Sequence, residues 1–339
     1  AVCDLVKEKA DQAAEEFGCK AFYSVKEMLQ AIQDKVLPTM AKTRSSRKVK
    51  ANMLTLKKLN KNTSTMKISL KDNSTKKALG ILIAIIAFAL ITLLYFNPIL
   101  EGKRIKQHDI EMFKGMSHEV VSYREATGEQ TLWTNSMFGG MPAWNISVPQ
   151  KSNLMTGVSK VLTLNFPNPI GSVFISMLGF FILLLILDNS IGISFLGALA
   201  YGLTSYLFII IGAGHNSKAF AMAYMAPVIA GIILTYRGKY LTGSILTAIA
   251  LALEVKAGHL QITYYLLLIV VMIVIAELIS DIIEKKGAHF LKASGLLIIA
   301  ASIGILTNSM TLYANYEFGK ETTRGKPILT QVADNQTKG

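Results

Sequence analysis

The chain has 339 residues, 51% of them hydrophobic and 17% charged, with a formal net charge of +13. Soluble globular domains carry about 25% charged residues, so this composition excludes an ordinary water-exposed protein and favours a membrane one. The positive excess does not point to nucleic acid, because no groove-reading or aromatic-rich motif accompanies it, and the two cysteines, Cys3 and Cys19, imply neither a disulfide framework nor a cysteine metal site.

Residues 1–37 read as a small soluble N-terminal fragment. Ala1-Val2-Cys3-Asp4 fits the end of a buried strand. Val6, Ala10, Ala13, Ala14 and Phe17 then share one face of a helix that Gly18 ends. Residues 38–77 are basic and polar, which predicts a disordered linker. About a dozen Lys and Arg lie between Lys42 and Lys77, against the single acid Asp72. Such a block ahead of an apolar run is the orientation signal of a cytoplasmic terminus. Met66 opens "MKISLKDNSTKKALG", a basic lead into an apolar run, and so reads as a natural start.

From Ala78 onward the chain is a series of about seven apolar runs, each near the roughly 20 residues that cross a bilayer. They are 78–98, 169–188, 191–212, 219–236, 240–257, 261–283 and 290–312. The predicted fold class is therefore all-α, a polytopic α-helical membrane protein. The loops alternate. One set carries Arg237, Lys239, Lys285, Lys286 and Lys292, and the other carries Asp109, His215, Asn216, Lys218, His259 and Gln261. The positive-inside rule puts the first set in the cytoplasm with the N-terminus. It puts residues 99–168, 213–218, 256–260 and the polar tail 313–339 outside, and among the short loops only Lys218 and Lys256 depart from it.

The 99–168 loop is predicted to be large and helical. Met112, Met116, Val120 and Tyr123 fall on one face of an amphipathic helix suited to the membrane surface. Trp133, Phe138 and Trp144 are interfacial anchors, and Gly139, Gly140 and Pro142 make a turn between them.

Three constellations could carry chemistry. Asp109 and Glu111 follow the first run; a carboxylate there could serve as a general base toward a hydroxyl, or hold a divalent metal that binds a phosphate. The plain alternative is helix capping by Asp109. "GAGHNSKAF" brings His215, Asn216 and Lys218 to a helix N-terminus, where free N–H groups favour anions; the alternative is a solvated loop. "LEVKAGHLQITYY" brings Glu254, Lys256, His259 and Gln261 to the next outer turn. An ionisable residue inside a span is a functional candidate, although Glu254 could simply pair with Lys256 or His259. Arg124 and Glu129 flank the end of the loop helix, to bind substrate or to pair with each other.

The order strand, Asp4, helix, "GCKAFYSVKEMLQAI" resembles a fragment of the nucleotide-binding domain of the Gfo/Idh/MocA oxidoreductases. The glycine-rich phosphate loop is missing, so no NAD site is expected. From about Met66 the chain resembles the YfhO-type bacterial membrane proteins. The likeness rests on "QHDI" at 107–110, "YREATGEQTLWTNSMFGGMPAW" at 123–144 and "GAGHNSKAFAMAYMAP" at 212–227. It implies a GT-C-type glycosyltransferase of the bacterial cytoplasmic membrane, taking a sugar from a polyprenyl-phosphate donor to an envelope acceptor. Asp109 would match that architecture's acidic residue, with His215, Lys218 and His259 toward donor phosphate or acceptor. YfhO-type chains are longer, so a truncated chain is expected. The alternatives from a different class are a transporter or flippase for lipid-linked sugars and a non-catalytic envelope-assembly subunit.

Overall fold

The computed structural model describes residues 2–3, 21–22, 63–147 and 153–322. It divides into two units, residues 1–76 and 77–339. In the first, strands β1 (Val2–Cys3) and β2 (Ala21–Phe22) pair in parallel, Val2 opposite Ala21. The expected helix at 6–17 lies outside the described residues.

The rest of the described chain is mostly helical. Helix α1 (Thr63–Tyr95) begins well ahead of Ala78, so the last residues assigned to the linker are helical instead. Short α2 (Asn97–Leu100) and long α3 (His108–Thr127) follow. A small hairpin pairs β3 (Trp133–Thr134) with β4 (Met141–Pro142), and α4 (Met155–Leu162) leads back to the bundle. The bundle comprises α5 (Ile170–Ile186), α6 (Ile191–Gly202), α7 (Ser205–Ala213), α8 (Asn216–Tyr236), α9 (Tyr240–Lys256), α10 (Leu260–Ile283) and α11 (Gly287–Leu306). The tail expected to be simply polar starts with a further helix, α12 (Ser309–Lys320).

Among the described residues, five stretches are long and apolar enough to cross a membrane: Ser74–Tyr95, Ile191–Ala213, Asn216–Tyr236, Leu260–Ile283 and Gly287–Leu306. The Ile191–Ala213 stretch is interrupted at Leu203 and Thr204, where α6 gives way to α7. Leu, Ile and Met side chains remain outward-facing on four of the five, for example Leu82, Ile209, Met272 and Ile298, whereas Asn216–Tyr236 is mostly enclosed by the other helices. In water such surface would drive aggregation; hydrocarbon is its natural solvent.

Helix α8 is the axis of the bundle, packed on α5 and α9, while α11 packs on α9 and α6 on α5. These crossings are close because small residues sit at them. A Cβ on Gly231 would lie 2.5 Å from Thr247 Oγ1 and 2.9 Å from the Gly243 carbonyl. A Cβ on Gly179 would lie 2.8 Å from the Ala223 carbonyl. That carbonyl is the one Pro227, lacking an N–H, cannot serve inside α8. Without a hydrophobic driving force between helices in lipid, such backbone-to-backbone approach is the main source of association. Phe88 of α1 stacks on Phe195 and meets Phe181 edge-on, which fastens α1 to α5 and α6.

Contacts gather the loops into two sets. At one end, Arg237 donates to Asp188 at 2.9 Å, Lys292 lies over the Tyr240 ring, and His289 meets Asp281 at 2.8 Å. At the other, α3 contacts the α7–α8 turn, and Asn308 donates to the Ala252 carbonyl at 2.9 Å while accepting from Asn153 at 3.0 Å.

Candidate functional site

Helix α3 starts against the α7–α8 turn, and three local features fix it there. Gln107, its N-cap, has an extended backbone, and its side chain reaches across. Its Nε2 donates to the Ile211 carbonyl and to Asn216 Oδ1, the latter at 3.2 Å, and Asn216 Nδ2 donates back at 3.4 Å. Gly214 ends α7 in the left-handed region at φ +108°, where a Cβ would sit 2.9 Å from the Asp109 Cβ. Glycine is thus required both by conformation and by the close approach.

Within this frame Asp109 Oδ2 lies 3.0 Å from His215 Nδ1, both side chains about half exposed. Asp109 is not the capping residue; Gln107 is, and it makes no side-chain cap bond. Asn216 belongs to the frame through Gln107. Lys218 stands with Nζ 5.2 Å from the Tyr206 ring centroid. His259, at the start of α10, is held below the usual histidine range by partial burial and by the charges of Lys218 and His215. These neighbours mark one cluster: Asp109, His215, Lys218 and His259.

The other predicted residues lie differently. Glu111 turns away from Asp109 and pairs with Lys114 at 2.8 Å, which with Lys106 holds its carboxyl below the usual range. Glu254 is fully buried, and its partner is neither Lys256 nor His259: both its oxygens accept from the Thr263 hydroxyl, at 3.0 and 3.1 Å. Gln261 donates to Tyr265 at 2.8 Å along its own helix, and Lys256 is half-buried at the end of α9. Arg124 binds Gln130 at 2.9 Å and the Ser147 carbonyl, not Glu129, and so ties the end of α3 to the following loop. On α3, Val120 and Ser117 are buried, whereas Met112, Met116 and Tyr123 of the expected apolar face are exposed.

Two features escaped the sequence reading. The first is a cleft of about 590 Å³ beside the start of α3, lined by Lys103, Arg104, Lys106, Glu111 and Lys114 together with Pro167 and Pro169. Its signal was the basic run "GKRIK" directly after the first apolar run. The second is Glu119, which accepts from the Thr134 hydroxyl and from the N–H groups of Asn135 at 3.0 Å and Ser136 at 2.9 Å. Those bonds hold its carboxyl below the usual range and suspend the hairpin of "TLWTNSMFGGMP" from α3.

Among the described residues, no group of three or more His, Cys, Asp or Glu side chains gathers where a metal ion could be held. Asp109 has one neighbour of that kind, His215, so the residues present do not make a ready metal site. The assembled chemistry is an acceptor-type carboxylate beside an imidazole, with Lys218 and His259 as neighbours of that imidazole. No protein-family model, curated protein or solved structure matches the chain.

Proposed function

We propose that the chain is a membrane glycosyltransferase of the bacterial cytoplasmic membrane, moving a sugar from a polyprenyl-phosphate donor to a hydroxyl of an envelope acceptor on the outer face. The observation that carries the reading is the pairing of Asp109 with His215, made by segments more than a hundred residues apart. The resemblance of "QHDI", "TLWTNSMFGGMP" and "GAGHNSKAF" to YfhO-type proteins supports it.

In this reading there are seven spans. Five are the long apolar stretches. The other two are α5 and α9, each of 17 residues, which reach about 26 Å at 1.5 Å per residue. That is close to a hydrocarbon core of about 30 Å, and a locally thinned bilayer meets them. The basic residues 42–77, Arg237, Lys239, Lys285 and Lys286 lie in the cytoplasm. Lys103, Arg104 and Lys106 then lie outside, against the charge rule, and their charge is assigned to ligand binding.

The acceptor oxygen attacks the anomeric carbon, and the bond from that carbon to the phosphate oxygen breaks. The proton passes from the acceptor hydroxyl to the Asp109 carboxylate, which His215 orients. The pair of electrons leaves with the polyprenyl phosphate, and the developing charge is met by Lys218, one turn along the helix from His215. His259, kept neutral more readily than an ordinary histidine, offers a hydrogen bond without a competing charge. No step is assigned to a metal.

Membranes bearing the chain, given radiolabelled polyprenyl-phosphate sugars, should release label from lipid to acceptor. Asp109→Asn should slow this at least a hundredfold, in the range of a lost general base, with membrane insertion unchanged. Equal release from both proteins would refute the role.

One observation favours the flippase alternative. The Ile191–Ala213 stretch is broken midway at Leu203–Thr204, and broken helices are a transporter device. Label that changes leaflet without leaving its lipid would select that reading.

A further inference from the structure

Helix α10 is tied to the bundle by polar contacts near its ends, and between them it is covered only in part, with Val270, Ile273 and Val274 half-buried against the core. Of its 24 residues only Ile262, Leu266 and Asp281 are buried. Near its start Thr263 donates to the buried Glu254 of α9. Near its end Asp281 meets His289 of α11 at 2.8 Å. Between these two polar ties lies a cavity of about 570 Å³, bounded by α8, α9, α10 and α11.

The chemistry of this cavity is one-sided. Its floor is Val228, Leu266 and Leu297, all buried. Its buried and half-buried hydroxyls are engaged within the protein: Tyr236 with Ser294 at 2.9 Å, Thr247 with the Gly243 carbonyl at 2.9 Å, and Thr263 with Glu254. Nothing inside therefore asks for a polar ligand. Leu267 of α10 and Ile298 of α11 flank the space and are exposed, so it opens sideways between two helices of membrane-spanning length. Tyr264, at the end near Thr263, is also exposed, where an amphipathic ring suits the level of lipid headgroups.

We propose that this space binds one acyl chain of a bilayer phospholipid, which enters between α10 and α11 and braces α10 against the bundle. Size selects this occupant. At about 30 Å³ for a water-sized group, the cavity holds on the order of twenty methylenes, about one acyl chain; a polyprenyl chain would overflow it. An empty cavity here would leave its lining without dispersion partners, and water has no hydrogen bonds to make in it. Because His259 directly precedes α10, a filled cavity also steadies a member of the candidate site. The proposal needs only that these helices lie in a bilayer and stands whether or not sugar is transferred.

The test is to place the whole chain in phosphatidylglycerol vesicles containing a phosphatidylglycerol with a photoreactive diazirine midway along one acyl chain. After illumination, labelled residues are mapped by mass spectrometry. Label is expected on the floor residues Val228, Leu266 and Leu297 as well as on outward-facing Met272 and Ile299. Label confined to the outward-facing residues overturns the site. Ala301→Phe, which fills the cavity from its lining, should lower floor labelling at least tenfold and leave Met272 and Ile299 unchanged; undiminished floor labelling overturns it too. Should that variant not fold, the wild-type map decides alone. A diazirine polyprenyl phosphate that labels the floor where the phospholipid does not would overturn the choice of occupant.

Discussion

Gly214 decides whether Asp109 and His215 can meet. Its φ of +108° is poorly tolerated by a side chain, and a Cβ there would sit 2.9 Å from the Asp109 Cβ. Gly214→Val should cost about 1–3 kcal/mol in strain and push the first turn of α3 off the α7–α8 turn. Transfer should fall at least tenfold while the helical signal in circular dichroism is kept; unchanged turnover would show that the approach is irrelevant. Glu119 offers a pH test. Its folded carboxyl titrates below the usual 4.5, so the stability it lends the hairpin is fully present above that value. It is lost as pH falls through the lower, folded value. Trp133 emission should therefore shift in acid, and Glu119→Gln should show the shifted emission already at pH 7 with no acid step. The types of residue at the site were legible: Asp109, His215, Lys218 and His259 stand out as polar punctuation between apolar runs. Their partners were not, because Gln107–Asn216 and Asp109–His215 are contacts across more than a hundred residues and leave no spacing signal. Glu254 shows the same limit: it reads as an ion-pair candidate until Thr263, on another helix, is seen to satisfy it.

At the scale of elements, helix crossings rest on contacts too close for a side chain. Gly231→Val would drive a β-branched group into Thr247 and the Gly243 carbonyl. Overpacking of this kind costs about 1–3 kcal/mol where neighbours yield, and backbone yields little. A clear drop in melting temperature in detergent is expected. Gly295→Ala is the control: nothing lies within 4 Å of its Cβ position, and removing a mid-helix glycine should gain about 0.5–1 kcal/mol. If both variants melt alike, the crossings are not close-packed. The apolar runs were readable as helices because their length leaves no other way to satisfy backbone groups in lipid. Two boundaries were not. Residues 63–77 look like linker by composition, yet they continue into α1, whose apolar part supplies the nucleus for propagation. The break at Leu203–Thr204 sits after Gly202 inside an unbroken apolar run, so hydropathy passes over it.

At the scale of the whole molecule, the chain presents two chemically distinct ends. Cysteines introduced at Ser217 and at Glu284, in a background lacking Cys3 and Cys19, should react with an impermeant maleimide from opposite sides of the membrane. In intact cells only the Ser217 position should be labelled, and only the Glu284 position in inverted vesicles. Labelling of both from one side would dissolve the topology. The central claim is that Asp109 and His215 act as one unit at the outer end, and a double-mutant cycle on the rate of label release tests it most directly. If the imidazole works through the carboxylate, Asp109→Asn with His215→Gln should be no slower than Asp109→Asn alone. Losses that simply multiply would contradict the account, because the two side chains would then be acting independently.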